Sequence, residues 1–281
     1  MTAIKLYQFG NSVCCQKVRI VLAAKRLTWH SIEVELFRNA QYDPAYLKLN
    51  PAGVVPTLVH GEDVITESTL ICEYLDELYP DPPLLPASAA GRAEARRWSK
   101  LADEGLHEGV SEISFSAMFR ERMKTMSAEA REVRFANVGD PRRRDRFEST
   151  YRDGARSPWV GYGVAAFERC FARLETTLAD GRHWVAGAEP SLGDIGLMPY
   201  VARLAFLGLL PLWLEDRPAV EAWWRRAQEW PGYRQGIAEP MLPAELAEMA
   251  QHGPAIALDI SATLQRLRAS PNALSTGSSH E

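Results

Sequence analysis

Cysteine is scarce. The chain has four in 281 residues (Cys14, Cys15, Cys72 and Cys170), with no CxxC pair and no disulfide-dense spacing. Free thiols are therefore expected, which fits a reducing cytoplasm. The six histidines form no HExxH and no Cys/His set at zinc-ligand spacing, so no protein-bound metal is expected. Positive charge is not in excess either: 32 Lys and Arg against 36 Asp and Glu leave a net charge of −4. A basic face for nucleic acid is not the expectation. The one cationic cluster, Arg142-Arg143-Arg144 with Arg146, alternates with acids and reads as a solvated loop. Long apolar runs are missing too. The best membrane candidate, Ile195 to Leu214, carries Pro199, Arg203 and Pro211, whereas a span needs ~20 mostly apolar residues. It reads as a buried helix followed by a turn. The start, Met1-Thr-Ala-Ile-Lys-Leu-Tyr7, lacks the apolar core of a signal peptide, and a cytoplasmic location is expected.

What is present is the composition of an ordinary globular chain, 46% hydrophobic and 24% charged. At ~150 residues per domain the length suggests two domains. The first eighty residues alternate short β-like runs with helical ones. Ile4 to Phe9 reads as a strand and Cys15 to Arg26 as a helix, with Val18, Val21 and Leu22 on one face. Trp29 to Leu36 reads as a second strand, parallel to the first. A short helical piece lies near Pro44 to Leu49. Two strands, Val55 to Val59 and Val64-Ile65, are then joined by the turn His60-Gly-Glu-Asp63. Glu67 to Tyr79 closes a β-α-β-α-β-β-α unit.

Pro80-Asp-Pro-Pro-Leu-Leu-Pro-Ala-Ser88 cannot be helix or central strand and marks the boundary. The expected divisions are an α/β domain over 1–80, a linker over 81–92, a helical domain over 93–265 and a flexible tail over 266–281. Ala93 to about Met126 is a long helical pattern. Asn137 to Trp159, with Gly139, Pro141, Gly154 and Pro158, reads as an insertion or long loop, and as a pocket lid. Val164 to Leu178 is helical, and Ser191-Leu-Gly-Asp194 is a capping box at the head of the next helix. Ser270 to Glu281 reads as disordered.

Three constellations can carry chemistry. Ser12, with Cys14 and Cys15, stands where the first strand meets a helix, and a helix start stabilises an anion. The same residues also read as an N-cap and small packing side chains. Asn50-Pro-Ala-Gly-Val-Val55-Pro56 places a proline at a strand start. With a cis bond, Val55 would offer an unpaired edge to an extended peptide; a trans proline would merely begin an edge strand. Thr66-Glu67-Ser68-Thr69 heads a helix, where Ser68 suits a carboxylate and Glu67 an ammonium, or where Thr66 or Ser68 simply caps the helix and the acid complements its dipole. Together the three suit a zwitterionic peptide thiol.

The set Ser12-Val-Cys14-x-x-x-Val-Arg-Ile20, Asn50-Pro-x-Gly-x-Val55-Pro56 and Glu67-Ser68-Thr-x-Ile71-x-Glu-Tyr-Leu75, with Ser191-x-x-Asp194, resembles the glutathione S-transferase superfamily over about residues 3–240. The resemblance implies an α/β thioredoxin-like N-terminal domain followed by an all-α helical-bundle C-terminal domain, in a homodimer. It implies that Ser12 hydrogen-bonds the glutathione sulfur and that Val55, before a cis Pro56, pairs with the cysteinyl backbone. Glu67 and Ser68 would hold the γ-glutamyl end, and Gln41 would face the glycyl carboxylate. Cys14 matches the cysteine of zeta-class isomerases, although this chain has Val13-Cys14-Cys15 where that class has Ser-Cys-Ser. A narrower resemblance, on Arg92-Ala-Glu-x-Arg-x-Trp98-x-Lys100-x-x-Asp103-Glu104, Val110-Ser-x-Ile113 and the stretch from Asn137 to Gly154, is to bacterial β-aryl-etherases, which cleave lignin-derived ethers with glutathione.

The implied nucleophile belongs to glutathione. The partner substrate is expected to be a hydrophobic, aromatic electrophile, in a pocket to which Phe9, Val110 and Ser114 are candidate contributors. Asp103 reads either as reaching a partner subunit's glutathione or as a solvated helix carboxylate. Three other readings remain: a zeta-like maleylacetoacetate isomerase, a Cys14- or Cys15-based thiol reductase, and a non-catalytic scaffold that keeps only the fold.

Overall fold

The computed structural model describes residues 3–270. Most of the expected tail, 271–281, lies outside the described residues. Alternating apolar positions build the first strand, β1 (Ile4–Gln8), with Ile4 and Leu6 buried and Lys5 exposed. Helix α1 (Val13–Ala24) follows, then β2 (Trp29–Glu33), which pairs parallel to β1. Helix α2 (Pro44–Leu47) leads to β3 (Thr57–His60) and β4 (Asp63–Thr66). β3 runs antiparallel to both β1 and β4, and the strand order is β2-β1-β3-β4. Helix α3 (Ser68–Leu78) completes the thioredoxin-like N-terminal domain.

The rest is helical. Helices α4 (Ala89–Leu101), α5 (His107–Ser114) and α6 (Arg120–Lys124) form one unbroken run, with π-helical stretches at Ala102–Leu106 and Phe115–Phe119. Then come α7 (Ala128–Ala136), α8 (Pro141–Asp153), α9 (Pro158–Leu178) and α10 (Leu192–Phe206). The chain ends in α11 (Pro211–Leu214), α12 (Pro218–Glu229), α13 (Pro231–Tyr233), α14 (Pro243–His252) and α15 (Ala257–Ala269). The described chain gathers into two compact units. One comprises 3–100 with 181–199 and 222–242, the other 101–180, 200–221 and 243–270.

The first unit takes in more than the N-terminal residues. The proline-rich segment is anchored rather than free: Leu84 is buried, its N–H donates to Asp76 Oδ1 at 2.9 Å, and its carbonyl accepts from Leu192 N at 2.8 Å. Asp76 also pairs with the buried Lys25. Helix α4 begins at Ala89, within the expected linker. Asp194 Oδ2 accepts from Ser191 N and Oγ, both at 2.9 Å, and Oδ1 accepts from Val185 N at 3.0 Å and Trp223 Nε1 at 2.9 Å. The capping box is thus also a buried brace.

The second unit corrects three expectations. Residues 137–159 are mostly helical rather than a loop. Asp140 caps α8, accepting from the N–H groups of Arg142 (2.9 Å) and Arg143 (3.4 Å), and Pro141 occupies the first turn, where a missing N–H costs nothing. The arginine cluster lies on that helix. Arg146 is buried and pairs with Glu108 and, at 3.5 Å, with Glu112. Residues 266–269 belong to α15, and Arg268 reaches Glu168 at 3.1 Å beside Arg217. Among the described residues no helix is long and apolar enough to cross a membrane.

Candidate active site at one end of the sheet

Strand direction brings the three N-terminal constellations together. Tyr7 pairs with Thr57, and Thr57 with Thr66, so the C-terminal end of β1, the N-terminal end of β3 and the C-terminal end of β4 share one end of the sheet. Ser12 follows the first of these ends, Val55-Pro56 precedes the second and Glu67-Ser68 follows the third. Gln8 pairs with Glu33, so β2 delivers the segment containing Gln41 from the same end. Beneath it Cys15, Val34, Tyr46 and Val55 form one apolar cluster, with Tyr7, Phe9, Leu36 and Ala40 packed against it.

Ser12 caps α1. Its backbone is extended (φ −78°, ψ 122°), its Oγ accepts from Cys15 N at 3.4 Å, and its N–H donates to Phe9 O at 3.0 Å. No acidic residue stands in the first turn of α1 to offset the partial positive charge of the helix start. Cys15 is fully buried, and desolvation pushes its thiol up to about 12 despite the hydrogen bond from Ser12 and the nearby charge of Arg19. It is a packing residue. Cys14 is half-buried. A reductase built on Cys15 has no thiolate to work with at neutral pH.

The second constellation is held from behind. The Val55–Pro56 bond is cis, as is Asp81–Pro82. Tyr46 Oη (2.6 Å) and Asn50 Nδ2 (2.9 Å) both donate to Val54 O, and both also reach Thr57 Oγ1, at 3.0 and 3.1 Å. Tyr46, Asn50 and Thr57 are all buried. Gly53, at φ +59°, lies against the Tyr42 ring, where a Cβ would approach to 3.0 Å. Gln41 is nearly buried, and its Oε1 makes no hydrogen bond. A carboxamide end left without a partner suits a polar ligand group, since the amide can turn to present either N or O.

Glu67 departs from ordinary backbone geometry, with φ 67° and ψ 113°. For a non-glycine residue such a conformation costs of order 1–3 kcal/mol. Its side chain is exposed and makes no cap bond, so capping does not account for it. Ser68 is buried at the first position of α3, and Thr69 Oγ1 accepts from Lys17 Nζ at 3.2 Å. Two helix starts, those of α1 and α3, therefore follow strands that end at the same end of the sheet. One suits an anionic sulfur and the other a carboxylate.

The candidate pocket residues belong to different units. Phe9 lies in the sheet-end cluster, its ring 5.6 Å from that of Phe37. Val110 and Ser114 are interior residues of the second unit, and Ser114 Oγ accepts from Arg203 at 3.1 Å. Asp103 is exposed. A cleft of about 730 Å³ in the second unit is lined by charged side chains, Arg120, Arg152 and Asp153 among them, and by none of the candidate residues. Arg19, Asn50, Tyr46 and Thr57 were not singled out as functional from sequence. Arg19 and Asn50 stand inside the motifs and Thr57 directly follows one, whereas Tyr46 lies outside them.

The glutathione S-transferase N-terminal domain model matches residues 6–83, and the C-terminal domain model matches 127–226. The chain is similar to glutathione S-transferase Z1 of Arabidopsis thaliana, 48% identical over 114 residues, 40% of this chain and 52% of that protein. That match thus spans about half of the relative's length. It is 30% identical to a maleylacetoacetate isomerase of Pseudomonas aeruginosa over 247 residues, 86% of this chain and all of that one. The crystal structure of the beta-etherase LigF of Sphingobium sp. strain SYK-6 superposes with a TM-score of 0.75 at 29% identity, covering 85% of this chain and 100% of that one. Fold, site geometry and both domain models agree that this chain belongs to the glutathione S-transferase family, enzymes that take glutathione as co-substrate.

Proposed function

We propose that this enzyme activates glutathione through the Ser12 hydroxyl and turns it on an aromatic β-aryl ether. The observation that carries the first half is the position of Ser12. It caps α1 at the sheet end where Val55-Pro56 and Glu67-Ser68 also meet. Val55 offers its backbone to the cysteinyl unit, Glu67 and Ser68 take the γ-glutamyl end, and Gln41 faces the glycyl carboxylate. A free thiol titrates near ~8.5, and bringing it ~2 units lower takes ~2.7 kcal/mol. A hydroxyl bonded to a charged sulfur supplies ~1.5–3 kcal/mol and a helix start ~0.3–1 kcal/mol, which meets the need. Glutathione supplies the nucleophile: its thiolate sulfur bonds the carbon bearing the phenoxy group, the C–O bond breaks with its electron pair going to oxygen, and the departing phenoxide takes a proton from water, leaving a thioether and a phenol.

The ether as substrate rests on the likeness to the beta-etherase LigF along that protein's whole length. The likeness to a maleylacetoacetate isomerase favours a second reading, isomerisation of a maleyl-type substrate. Incubation with glutathione and three substrate types separates them: β-aryl ether ketones, maleyl compounds and a chloro-nitrobenzene, with products followed by mass spectrometry. Release of a phenol with a glutathione thioether is the expected result. Turnover of the maleyl compounds alone contradicts the etherase reading. The enzyme is further proposed to work in the cytoplasm, where its four free cysteines persist, and as a homodimer, for which Val64 and Leu70 leave apolar surface exposed on the N-terminal domain.

A further inference from the structure

Tyr46 is buried on α2 and carries a hydroxyl at a place where packing alone asks only for a ring. Its ring packs with Cys15, Val34 and Val55 and stands 5.8 Å from that of Tyr7. Its Oη donates to Val54 O at 2.6 Å, and Asn50 Nδ2 donates to the same carbonyl at 2.9 Å. Since the phenol proton goes to Val54, the 3.0 Å contact between Tyr46 Oη and Thr57 Oγ1 takes its proton from Thr57. Asn50 Nδ2 gives its second hydrogen to Thr57 Oγ1 at 3.1 Å, and Asn50 Oδ1 accepts from Ala52 N at 3.1 Å. Tyr46, Thr57 and Asn50 thus form a closed ring of hydrogen bonds around one carbonyl, and all three are buried. Burial pushes the phenol up to about 12, so it keeps the proton it donates across the neutral range.

That carbonyl belongs to the residue before Val55. Val55 buries its side chain in the same apolar cluster, so its backbone is set from two sides, by that packing and by the grip on Val54 O. We propose that Tyr46 is a positioning residue for glutathione: its hydroxyl holds the Val54 carbonyl from behind and fixes where the Val55 backbone meets the cysteinyl unit. The claim rests on the reading of Val55 given above. A backbone fixed before the ligand arrives has less freedom to lose on binding, and affinity gains accordingly. The sulfur is served from elsewhere, by Ser12 at the start of α1. The Tyr46 hydroxyl therefore acts on how tightly glutathione is held and not on the acidity of its thiol.

The test measures glutathione affinity by calorimetry, and the thiolate midpoint by ultraviolet absorbance against pH, for the wild type and Tyr46→Phe. Both are also titrated with a depsipeptide analogue of glutathione in which an ester oxygen replaces the cysteinyl N–H. Tyr46→Phe keeps the ring and removes only the hydroxyl. It should bind glutathione about fivefold more weakly, bind the ester within about twofold of the wild type, and leave the thiolate midpoint unmoved. A variant that loses both ligands alike, or whose midpoint moves, is loosened in general and overturns the proposal. So does a folded Tyr46→Phe that binds glutathione as tightly as the wild type. If Tyr46→Phe does not fold, Thr57→Val, which removes the hydroxyl donating to Tyr46, is read by the same criteria. Failure of both to fold makes the ring a folding element and overturns the proposal. A wild type that binds no glutathione, or binds the ester equally well, overturns the reading of Val55 and this proposal with it. A wild type that prefers glutathione to the ester, beside an unchanged Tyr46→Phe, overturns the part of Tyr46 alone.

Discussion

In the proposed function Ser12 has two jobs, which a single substitution separates. As an N-cap it contributes about 1 kcal/mol to folding, so Ser12→Ala should unfold at slightly lower denaturant. As a donor to a charged sulfur it is worth more, and turnover at saturating glutathione should fall roughly 10–100-fold. Steady-state kinetics beside urea unfolding check both, with Cys14→Ala and Cys15→Ala keeping their activity. A second residue-scale consequence lies away from the site. Glu112 is buried in the second unit, and desolvation raises its carboxyl to about 7, against the hydrogen bond from Thr150 and the charge of Arg146. The folded state therefore holds this proton more tightly than the unfolded chain. That stability is fully present below the ordinary carboxylate range near 4.5 and is lost as pH rises through about 7. Glu112→Gln should be more stable than the wild type at pH 8, by an amount of the order of 3 kcal/mol, and nearly equal to it at pH 4. Urea unfolding at the two pH values is the check. Sequence located Ser12, Val55 and Glu67 because each sits where a strand pattern breaks into a turn or helix. It did not expose Arg19 or Glu112, because Arg19 reaches Gly236 and Glu112 meets Thr150, partners far off along the chain.

At the scale of elements, local chemistry was legible wherever one signal dominated. The His60–Asp63 turn and the Ser191–Asp194 box stand where the pattern puts them, whereas in α3 the spacing predicts an apolar face of Leu70, Ile71, Tyr74, Leu75 and Leu78, of which Leu70 and Leu78 are exposed. Helix α8 is hidden in the sequence because Gly139, Pro141 and Gly154 read as breakers. Asp140-Pro141 is in fact a cap followed by the one helical position that welcomes proline. Its polar face hid the amphipathic signal, since Arg146 is buried only because Glu108 and Glu112 on α5 meet it. The contact of α5 with α9 depends on two glycines. A Cβ on Gly163 would lie 2.6 Å from Gly109 Cα, backbone against backbone. Gly163→Ala should push the helices apart and cost about 1–3 kcal/mol, read as a lower melting temperature in calorimetric scans.

For the whole molecule, the fold class was legible because β-like runs stop at the proline-rich segment and helical spacing takes over. The composition of the two compact units was not. Residues 181–199 and 222–242 join the first through contacts such as Asp194 with Trp223 and Arg19 with Gly236, which no local pattern announces. Glu168, gripped by Arg217 and Arg268, shows the same long-range logic in the second unit and carries α15 past the point where a loose tail was expected. What the proposed function needs is narrower: one sheet end where the start of α1, the backbone of Val55 and the strained Glu67 would hold one tripeptide. Calorimetric titration with glutathione at neutral pH tests that most directly. One tripeptide should bind per chain, and Glu67→Ala should weaken binding at least about tenfold, since a charged hydrogen bond is lost. A wild type that gives no binding heat, or a Glu67→Ala variant that binds as tightly as the wild type, contradicts the account.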